Sequence, residues 1–228
     1  MIIDKEAAFG EVIWRPDPET INASALKRFG EYLRGNGITV GDAYNEIWQW
    51  SVDEPERFWE LFASFSGVQF GGSAGPVRTG EPMPHTQWFP GRTVNFARHL
   101  LEGRDGTALV AVAENGQRTE VTWQELRQEV AALAQHLKSV GVQAGDRVVA
   151  ILPNIAEAVV GVLATASIGA TWSVCAPEFG PGAVISRFAQ LDPKVVIATP
   201  GYTLKGKERD CRAALAEIFA GLPTLEHV

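Results

Sequence analysis

Strands and helices alternate without interruption between Thr122 and Thr199, and this alternation restricts the chain to an α/β fold. The apolar run at 147–152 shows no polar alternation, which is typical of a strand that is covered on both faces, and further strands are predicted at 170–174 and 195–198. The segments between them carry apolar residues at helical spacing. Strands that alternate with helices pair in parallel through right-handed crossovers. The sequence therefore predicts a doubly wound, largely parallel sheet.

Capping signals predict where the helices of this region begin and end. Thr122 and Glu125 form a capping box, so a helix should follow directly and should end at Gly141, because glycine adopts the left-handed conformation easily. Asn154 is predicted to cap an almost wholly apolar helix over residues 155–168. Upstream, two strands joined by an Asn-Gly turn are predicted to form a hairpin, over residues 107–112 and 119–121.

The last third of the chain continues the same pattern. Pro181 suits the first position of another helix. Further predictions are a turn with two lysines over 200–207, a helix over 208–219 and the beginning of a strand over 224–228. An α/β domain would normally continue beyond such a strand, so we interpret the chain as a fragment.

Residues 1–92 differ from the rest, because they hold five of the seven tryptophans. Three helices are predicted there, over residues 21–34, over 41–50 and from Pro55 onward. Asn22 and Ser24 are alternative N-caps of the first helix. The glycine-rich stretch 70–76 lacks the Lys-Ser/Thr pair of a phosphate loop and is predicted to be a flexible connector. We expect a helical, Trp-rich cap segment over 1–92 and the start of an α/β domain over 93–228.

Composition excludes several classes of protein. The formal net charge of −7 argues against a nucleic-acid partner, which would favour a basic surface. The longest apolar run, 156–166, is too short to span a bilayer. Residues 1–6 lack the pattern of a signal peptide. Two cysteines make neither a disulfide framework nor a metal site, and the four histidines have no ligand spacing, so a cytoplasmic location is the simplest expectation.

The strongest site prediction from the residues alone is positional. Parallel strands bring their carboxyl ends to one edge of the sheet, where ligands of such folds bind. The helix that begins at Pro181 would direct free N–H groups at this edge, and Lys205 and Lys207 would add positive charge, so a phosphate-bearing ligand is one interpretation. Solvated turn lysines are the other, and both remain open. Cys175 lies at the same edge and is predicted to be a buried, unreactive thiol.

Several motifs resemble AMP-forming acyl-CoA synthetases over nearly the whole chain. The motifs are Trp-Phe-Pro-Gly at 88–91, Thr-Trp-x-Glu-Leu at 122–126, Gly-Asp-Arg-Val at 145–148, Leu-Pro-Asn at 152–154 and Ile-Gly-Ala-Thr-Trp-Ser at 168–173. The acetoacetate-activating branch is the most similar, through Trp48-x-Trp50-Ser51-Val52 and through Ala-Pro-Glu-Phe-Gly at 176–180.

This resemblance implies an acid–thiol ligase of the adenylate-forming type. Acetoacetate and ATP would form an acyl-adenylate and pyrophosphate, the thiol of CoA would then displace AMP, and Mg²⁺ would offset the charge of the phosphates. By the resemblance, Ala176, Pro177 and Glu178 belong to a loop that lies against CoA. Lys205 and Lys207 fall near the arginines that hold the CoA phosphate in related enzymes, although the spacing differs by about one residue and lysine replaces arginine. The expected partners are therefore small molecules.

The departures from the family pattern define what this chain lacks. The Ser/Thr/Gly-rich phosphate loop, the acid-binding segments and the catalytic lysine are absent, and the resemblance implies that they lie beyond Val228. The chain is accordingly expected to be inactive alone. Two alternatives remain: a synthetase for another short-chain acid, and a non-catalytic binding or assembly module that reuses the fold.

Overall fold

The computed structural model describes residues 10, 12–41 and 43–228. It divides the chain into two compact units, Met1–Val94 and Asn95–Val228. The expectation that the first residues are not a signal peptide concerns residues 1–6, which lie outside the described ranges.

The first unit begins with four helices. They are α1 (Pro18–Ala23), α2 (Ala25–Gly35), α3 (Tyr44–Asp53) and α4 (Pro55–Phe65). The helix predicted over 21–34 is interrupted at Ser24, which ends α1 and is the N-cap of α2, so of the two alternative N-caps Ser24 is confirmed. The Ser24 Oγ accepts a hydrogen bond from the backbone N–H of Lys27 at 3.1 Å. The helix predicted over 41–50 begins at Tyr44 instead, and Asp42 lies outside the described residues.

Aromatic side chains form the core of this unit. Phe29 is buried, and its ring meets those of Phe58 and Phe62 edge to face, with centroids 5.9 and 5.5 Å apart. Leu33 and Ile47 are buried in the same cluster. Phe58, Leu61 and Phe65 of α4 pack against this cluster at helical spacing, whereas Phe62 is exposed.

Four short strands complete the first unit. They are β1 (Gly71–Gly72), β2 (Arg78–Thr79), β3 (Gln87–Trp88) and β4 (Arg92–Thr93), with β1 antiparallel to β4 and β2 antiparallel to β3. The stretch predicted as a flexible connector thus contains a paired strand. Gly72 permits this pairing, because a Cβ there would lie 2.2 Å from the carbonyl oxygen of Gly91.

The second unit alternates helices and strands. Its elements are α5 (Phe96–Leu101), β5 (Thr107–Val112), β6 (Arg118–Thr122), α6 (Trp123–Ser139), β7 (Arg147–Ile151), α7 (Ala156–Ser167), β8 (Thr171–Cys175), α8 (Pro181–Phe188), β9 (Val195–Ala198), β10 (Gly201–Leu204), β11 (Lys207–Asp210) and α9 (Arg212–Ala220). The predicted β5–β6 hairpin and the helix beginning at Pro181 are confirmed.

A parallel sheet in the order β8–β7–β9 forms the centre of this unit. The central strand is buried on both faces, and its side chains alternate between two clusters. Val148 packs with α6 and α7, whereas Val149 and Ile151 pack with α8 and α9. Helices therefore cover both faces, and the predicted doubly wound α/β fold is confirmed.

One helix end matches its prediction, and one helix start does not. Gly141 has φ of +84°, and the next residue, Val142, donates to the Leu137 carbonyl at 3.0 Å, which completes a Schellman motif. Asn154 was predicted to cap α7, but the N-cap is Ile155, without a side-chain hydrogen bond. A tight turn, in which the Ile155 N–H donates to the Pro153 carbonyl at 2.9 Å, delays the helix by one residue.

The segment after β9 differs most from its prediction. Residues 200–207 were predicted as a turn and 208–219 as a helix, but β10 and β11 form a hairpin and the helix begins only at Arg212. Further along, His227 bridges in parallel to Val195, which fits the strand predicted to begin there.

Candidate functional site

The carboxyl ends of the three parallel strands lie side by side. Ile151 of β7 pairs with Cys175 of β8 on one side and with Ala198 of β9 on the other. The segments that leave these ends therefore meet along one edge of the sheet. This edge is where ligands bind in doubly wound sheets.

The loop after β8 forms the middle of this edge. Within it, Ala176 and Glu178 are exposed and Pro177 is half-buried. The loop ends at Gly180, the N-cap of α8, which supplies no side chain to the first N–H groups of the helix. A turn bond from the Phe179 N–H to the Ala176 carbonyl, 3.2 Å long, fixes the loop locally. Three predicted site residues are therefore contiguous and accessible at the edge.

Both thiols near this loop are buried, and their surroundings disfavour the thiolate form. Burial raises the pKa of the Cys175 thiol, and the Arg187 guanidinium opposes this effect only in part. Burial also raises the pKa of the Cys211 thiol, and the carboxylates of Asp210 and Glu178 raise it further. These effects disfavour the thiolate form, so neither thiol is activated as a nucleophile.

A cleft of about 630 Å³ lies against the hairpin that follows β9. Residues from both strands of the hairpin line it, together with Arg212. At the base of the hairpin, the Asp210 carboxylate accepts a hydrogen bond from the Arg212 backbone N–H at 2.9 Å. The same carboxylate lies 3.3 Å from the Arg212 guanidinium. The cleft thus offers a polar surface next to the edge of the sheet, with cationic and anionic groups intermixed.

The two predicted lysines lie at the tip of this hairpin, away from its base. Lys205 is the first turn residue and Lys207 begins β11, and both are exposed. Three residue steps, or about 10 Å of strand, separate this tip from the pair Gly201–Asp210 at the base. The structure therefore brings together Ala176, Pro177 and Glu178 but records no contact between them and the lysines.

The lysine turn has a partner that the sequence prediction missed. The backbone N–H groups of Lys205 and Gly206 both donate to the Glu114 carboxylate, over 3.1 and 3.0 Å. These bonds, first that of Gly206 and then that of Lys205, hold the pKa of the Glu114 carboxyl below its usual value. The Asn-Gly pair predicted the turn that carries Glu114. No local sequence pattern indicates that this carboxylate accepts a hydrogen bond from Lys205, which lies 91 residues further along the chain.

Two kinds of feature are absent from the described part of the chain. Residues 10, 12–41 and 43–228 contain no group of three or more His, Cys, Asp or Glu side chains that could hold a metal ion. Over the same ranges, no helix has the length and apolar character needed to cross a membrane.

Comparisons with known proteins agree with the fold. The family model described as AMP-binding enzyme matches residues 96–227, and the model described as acetyl-coenzyme A synthetase N-terminus matches residues 44–100. The solved structure of acetoacetyl-CoA synthetase from Streptomyces lividans is 40% identical and superposes with a TM-score of 0.89, covering 94% of this chain and 34% of that one.

Curated relatives show the same partial coverage. Acetoacetyl-CoA synthetase from Mus musculus is 36% identical over 96% of this chain and 33% of its own length. Malonamoyl-CoA synthetase from Penicillium aethiopicum is 28% identical over 96% of this chain and 31% of its own length. The chain spans about a third of the length of the curated relatives it matches. With a family model that covers residues 96–227 and a sheet wound in the order β8–β7–β9, the chain belongs to the AMP-binding enzyme family.

Proposed function

We propose that this chain forms the N-terminal part of a ligase that makes acetoacetyl-CoA from acetoacetate, ATP and CoA through an acyl-adenylate. The observation that supports this most is the 40% identity and close superposition with the Streptomyces lividans acetoacetyl-CoA synthetase over 94% of the chain. The enzyme would be cytoplasmic, with small-molecule substrates and without a nucleic-acid or membrane partner.

The role of this chain within such a ligase is to supply part of the CoA site. The loop of Ala176, Pro177 and Glu178 is exposed at the edge of the sheet, where it can lie against CoA. Lys205 and Lys207 are exposed at the hairpin tip and can attract a phosphate as point charges. The lysines lie about 10 Å of strand from the base of the hairpin, so a ligand that contacts both the loop and the tip must be extended, as CoA is.

Catalytic residues are not assigned to this chain. We propose Mg²⁺ as the companion of ATP in the complete reaction, where it would neutralise phosphate charge. Because the chain spans about a third of the length of the curated relatives it matches, we propose that the chain alone does not adenylate acetoacetate.

The test is acetoacetate-dependent pyrophosphate release, measured on this chain and on the full-length product of its gene. The expected result is activity in the full-length product, with acetoacetate preferred over acetate and propionate, and none in this chain. Adenylation by this chain alone would contradict the assignment of a partial role. Activity in neither protein would favour a binding or assembly module.

A synthetase for another short-chain acid is the second candidate. The similarity to a malonamoyl-CoA synthetase favours it, since that relative also matches 96% of the chain. The same assay distinguishes the two candidates when malonamate is included among the acids. Preference for malonamate over acetoacetate would replace the first proposal.

A further inference from the structure

The turn that carries the two lysines places Lys205 in the left-handed backbone region, where lysine is uncommon. Lys205 and Gly206 connect β10 to β11 as a two-residue turn, and their φ angles are +52° and +70°. Positive φ at both positions is the signature of a type I′ turn, which favours asparagine, aspartate or glycine at its first position. A lysine is disfavoured there, because its Cβ crowds the following carbonyl oxygen. The turn therefore needs stabilisation from elsewhere in the fold.

Glu114 provides that stabilisation from the β5–β6 hairpin. Its Oε1 accepts from the Lys205 N–H at 3.1 Å, and its Oε2 accepts from the Gly206 N–H at 3.0 Å. Each carboxylate oxygen thus binds one N–H, and hydrogen bonds to a charged acceptor are stronger than neutral ones. The lowered pKa of the Glu114 carboxyl agrees with a carboxylate that stays ionised in this contact.

The turn that presents Glu114 is itself well ordered. The Ala113 N–H donates to the Gln117 carbonyl and the Gly116 N–H donates to the Ala113 carbonyl, both at 2.9 Å. The side chain of Asn115 accepts from the Gln117 N–H, also at 2.9 Å. Glu114 is therefore held on a fixed turn, so its carboxylate can set the position of the hairpin tip that it binds.

We propose that Glu114 is a positioning residue that fixes the Lys205–Gly206 turn so that Lys205 and Lys207 can bind the 3′-phosphate of CoA. This inference rests on the proposed function. Because Glu114 occupies both N–H groups of the turn, only the lysine ammonium groups remain there to hold a phosphate. An ammonium on a flexible stem binds as a point charge, so its affinity depends on where the backbone places it.

A carboxylate near a phosphate site also has an opposing effect. Its negative charge repels the ligand, so a net benefit requires that ordering of the turn outweighs repulsion. Glu114→Gln separates the two effects, because it removes the charge but keeps one acceptor oxygen. Glu114→Ala removes both the charge and the hydrogen bonds.

The experiment compares the affinities for CoA and 3′-dephospho-CoA by calorimetry on the full-length gene product. We expect the wild-type protein to bind CoA about tenfold more tightly, on the scale of one charge-assisted hydrogen bond. Lys207→Ala and Glu114→Ala should each lose most of this preference, and Glu114→Gln should keep part of it. Glu120→Gln is the matched control, because Glu120 lies in the same hairpin but bonds to Thr107 and Arg118 instead.

A second measurement follows the turn itself. Hydrogen exchange at the Gly206 amide should be faster in Glu114→Ala than in the wild type and unchanged in Glu120→Gln. This readout does not depend on any ligand. Unchanged exchange in Glu114→Ala would therefore overturn the positioning role by itself.

The remaining outcomes separate this inference from the function on which it rests. If the wild type binds both compounds equally, or if Lys207→Ala retains the preference, the CoA phosphate does not bind at this turn and this inference fails, whereas the proposed ligase activity is decided separately by acetoacetate-dependent pyrophosphate release. If Lys207→Ala loses the preference but Glu114→Ala keeps it, only the role of Glu114 fails. Tighter CoA binding by Glu114→Gln would identify the carboxylate as a competitor of the phosphate and would also overturn the inference.

Discussion

Thr122 and Glu125 show how single residues determine where a helix begins. The Thr122 hydroxyl accepts from the Glu125 N–H at 3.2 Å, and the Glu125 carboxylate accepts from the Thr122 N–H at 2.8 Å. The two side chains thus satisfy backbone donors that a helix start leaves unpaired. These bonds to Thr122, first from its backbone and then from its hydroxyl, hold the pKa of the Glu125 carboxyl below its usual value.

This contact predicts a pH-dependent contribution to stability. A carboxyl whose pKa is lower in the folded state stabilises the fold above its unfolded pKa, and that contribution disappears as the pH falls through the folded pKa. Glu125→Gln should therefore be less stable than the wild type at neutral pH, and the difference should shrink as the pH falls below the ordinary pKa of a glutamate carboxyl and through the lowered pKa of Glu125. Urea unfolding at several pH values measures this difference. Glu129→Gln removes a charge from the same helix without altering the cap, and an identical pH trend in this control would contradict the assignment.

The two cysteines give a second prediction for single residues. Cys175 and Cys211 are only 3% and 6% exposed, and burial raises the pKa of both thiols. In the native protein neither should react with a thiol reagent such as DTNB on the time scale of a model thiol, whereas both should react in denaturant. Rapid reaction of one thiol in the native state would show that its surroundings open, and the Cys→Ser variants would identify which one.

At the scale of elements, local signals correctly predicted α6 with its capping box, the start of α8 and the buried strands of the parallel sheet. The β10–β11 hairpin and β1, which were missed, depend on contacts distant in sequence. The β10–β11 hairpin requires left-handed backbone at Lys205, which the residue itself disfavours and which Glu114 supports from 91 residues away. Similarly, β1 depends on its pairing with β4. The same distinction applies to the candidate site. The position of the loop of Ala176, Pro177 and Glu178 could be predicted from the order of strands and helices, whereas the position of the lysines depends on the β10–β11 hairpin.

Two helical glycines give a matched prediction about packing between elements. Gly161 of α7 faces Trp172 of β8, and a Cβ at Gly161 would lie 2.3 Å from the indole. Gly161→Ala should therefore destabilise the fold by about 1–3 kcal/mol, because the half-buried indole must move. At Gly182 of α8 a Cβ would meet nothing within 4 Å, so Gly182→Ala should be neutral or stabilise by up to about 1 kcal/mol.

Chemical denaturation of the two variants measures both effects on the same chain. Equal stabilities would mean that helix propensity, rather than contact with Trp172, governs both positions. Partial recovery of Gly161→Ala by Trp172→Phe, which shortens the ring system, would support the packing explanation.

At the scale of the molecule, each compact unit has its own core. The buried cluster around Phe29 and Leu33 draws only on residues of the first unit, and the two clusters on either face of β7 draw only on residues of the second. A unit that buries its own apolar surface has the main requirement for independent folding. The AMP-binding family model begins at residue 96, close to where the second unit begins at Asn95.

We therefore predict that residues 95–228 fold cooperatively when expressed alone. The expected result is a single urea transition with native near-UV circular dichroism, because the sheet keeps its helices on both faces. Strong ANS binding together with loss of near-UV signal would contradict the prediction, since these mark a compact state without fixed packing. The contact between Glu114 and the Lys205–Gly206 turn lies wholly within this unit, so the Gly206 amide should exchange as slowly as in the full chain. Faster exchange in a unit that is otherwise folded would mean that the lysine turn takes its final position only with the first unit present.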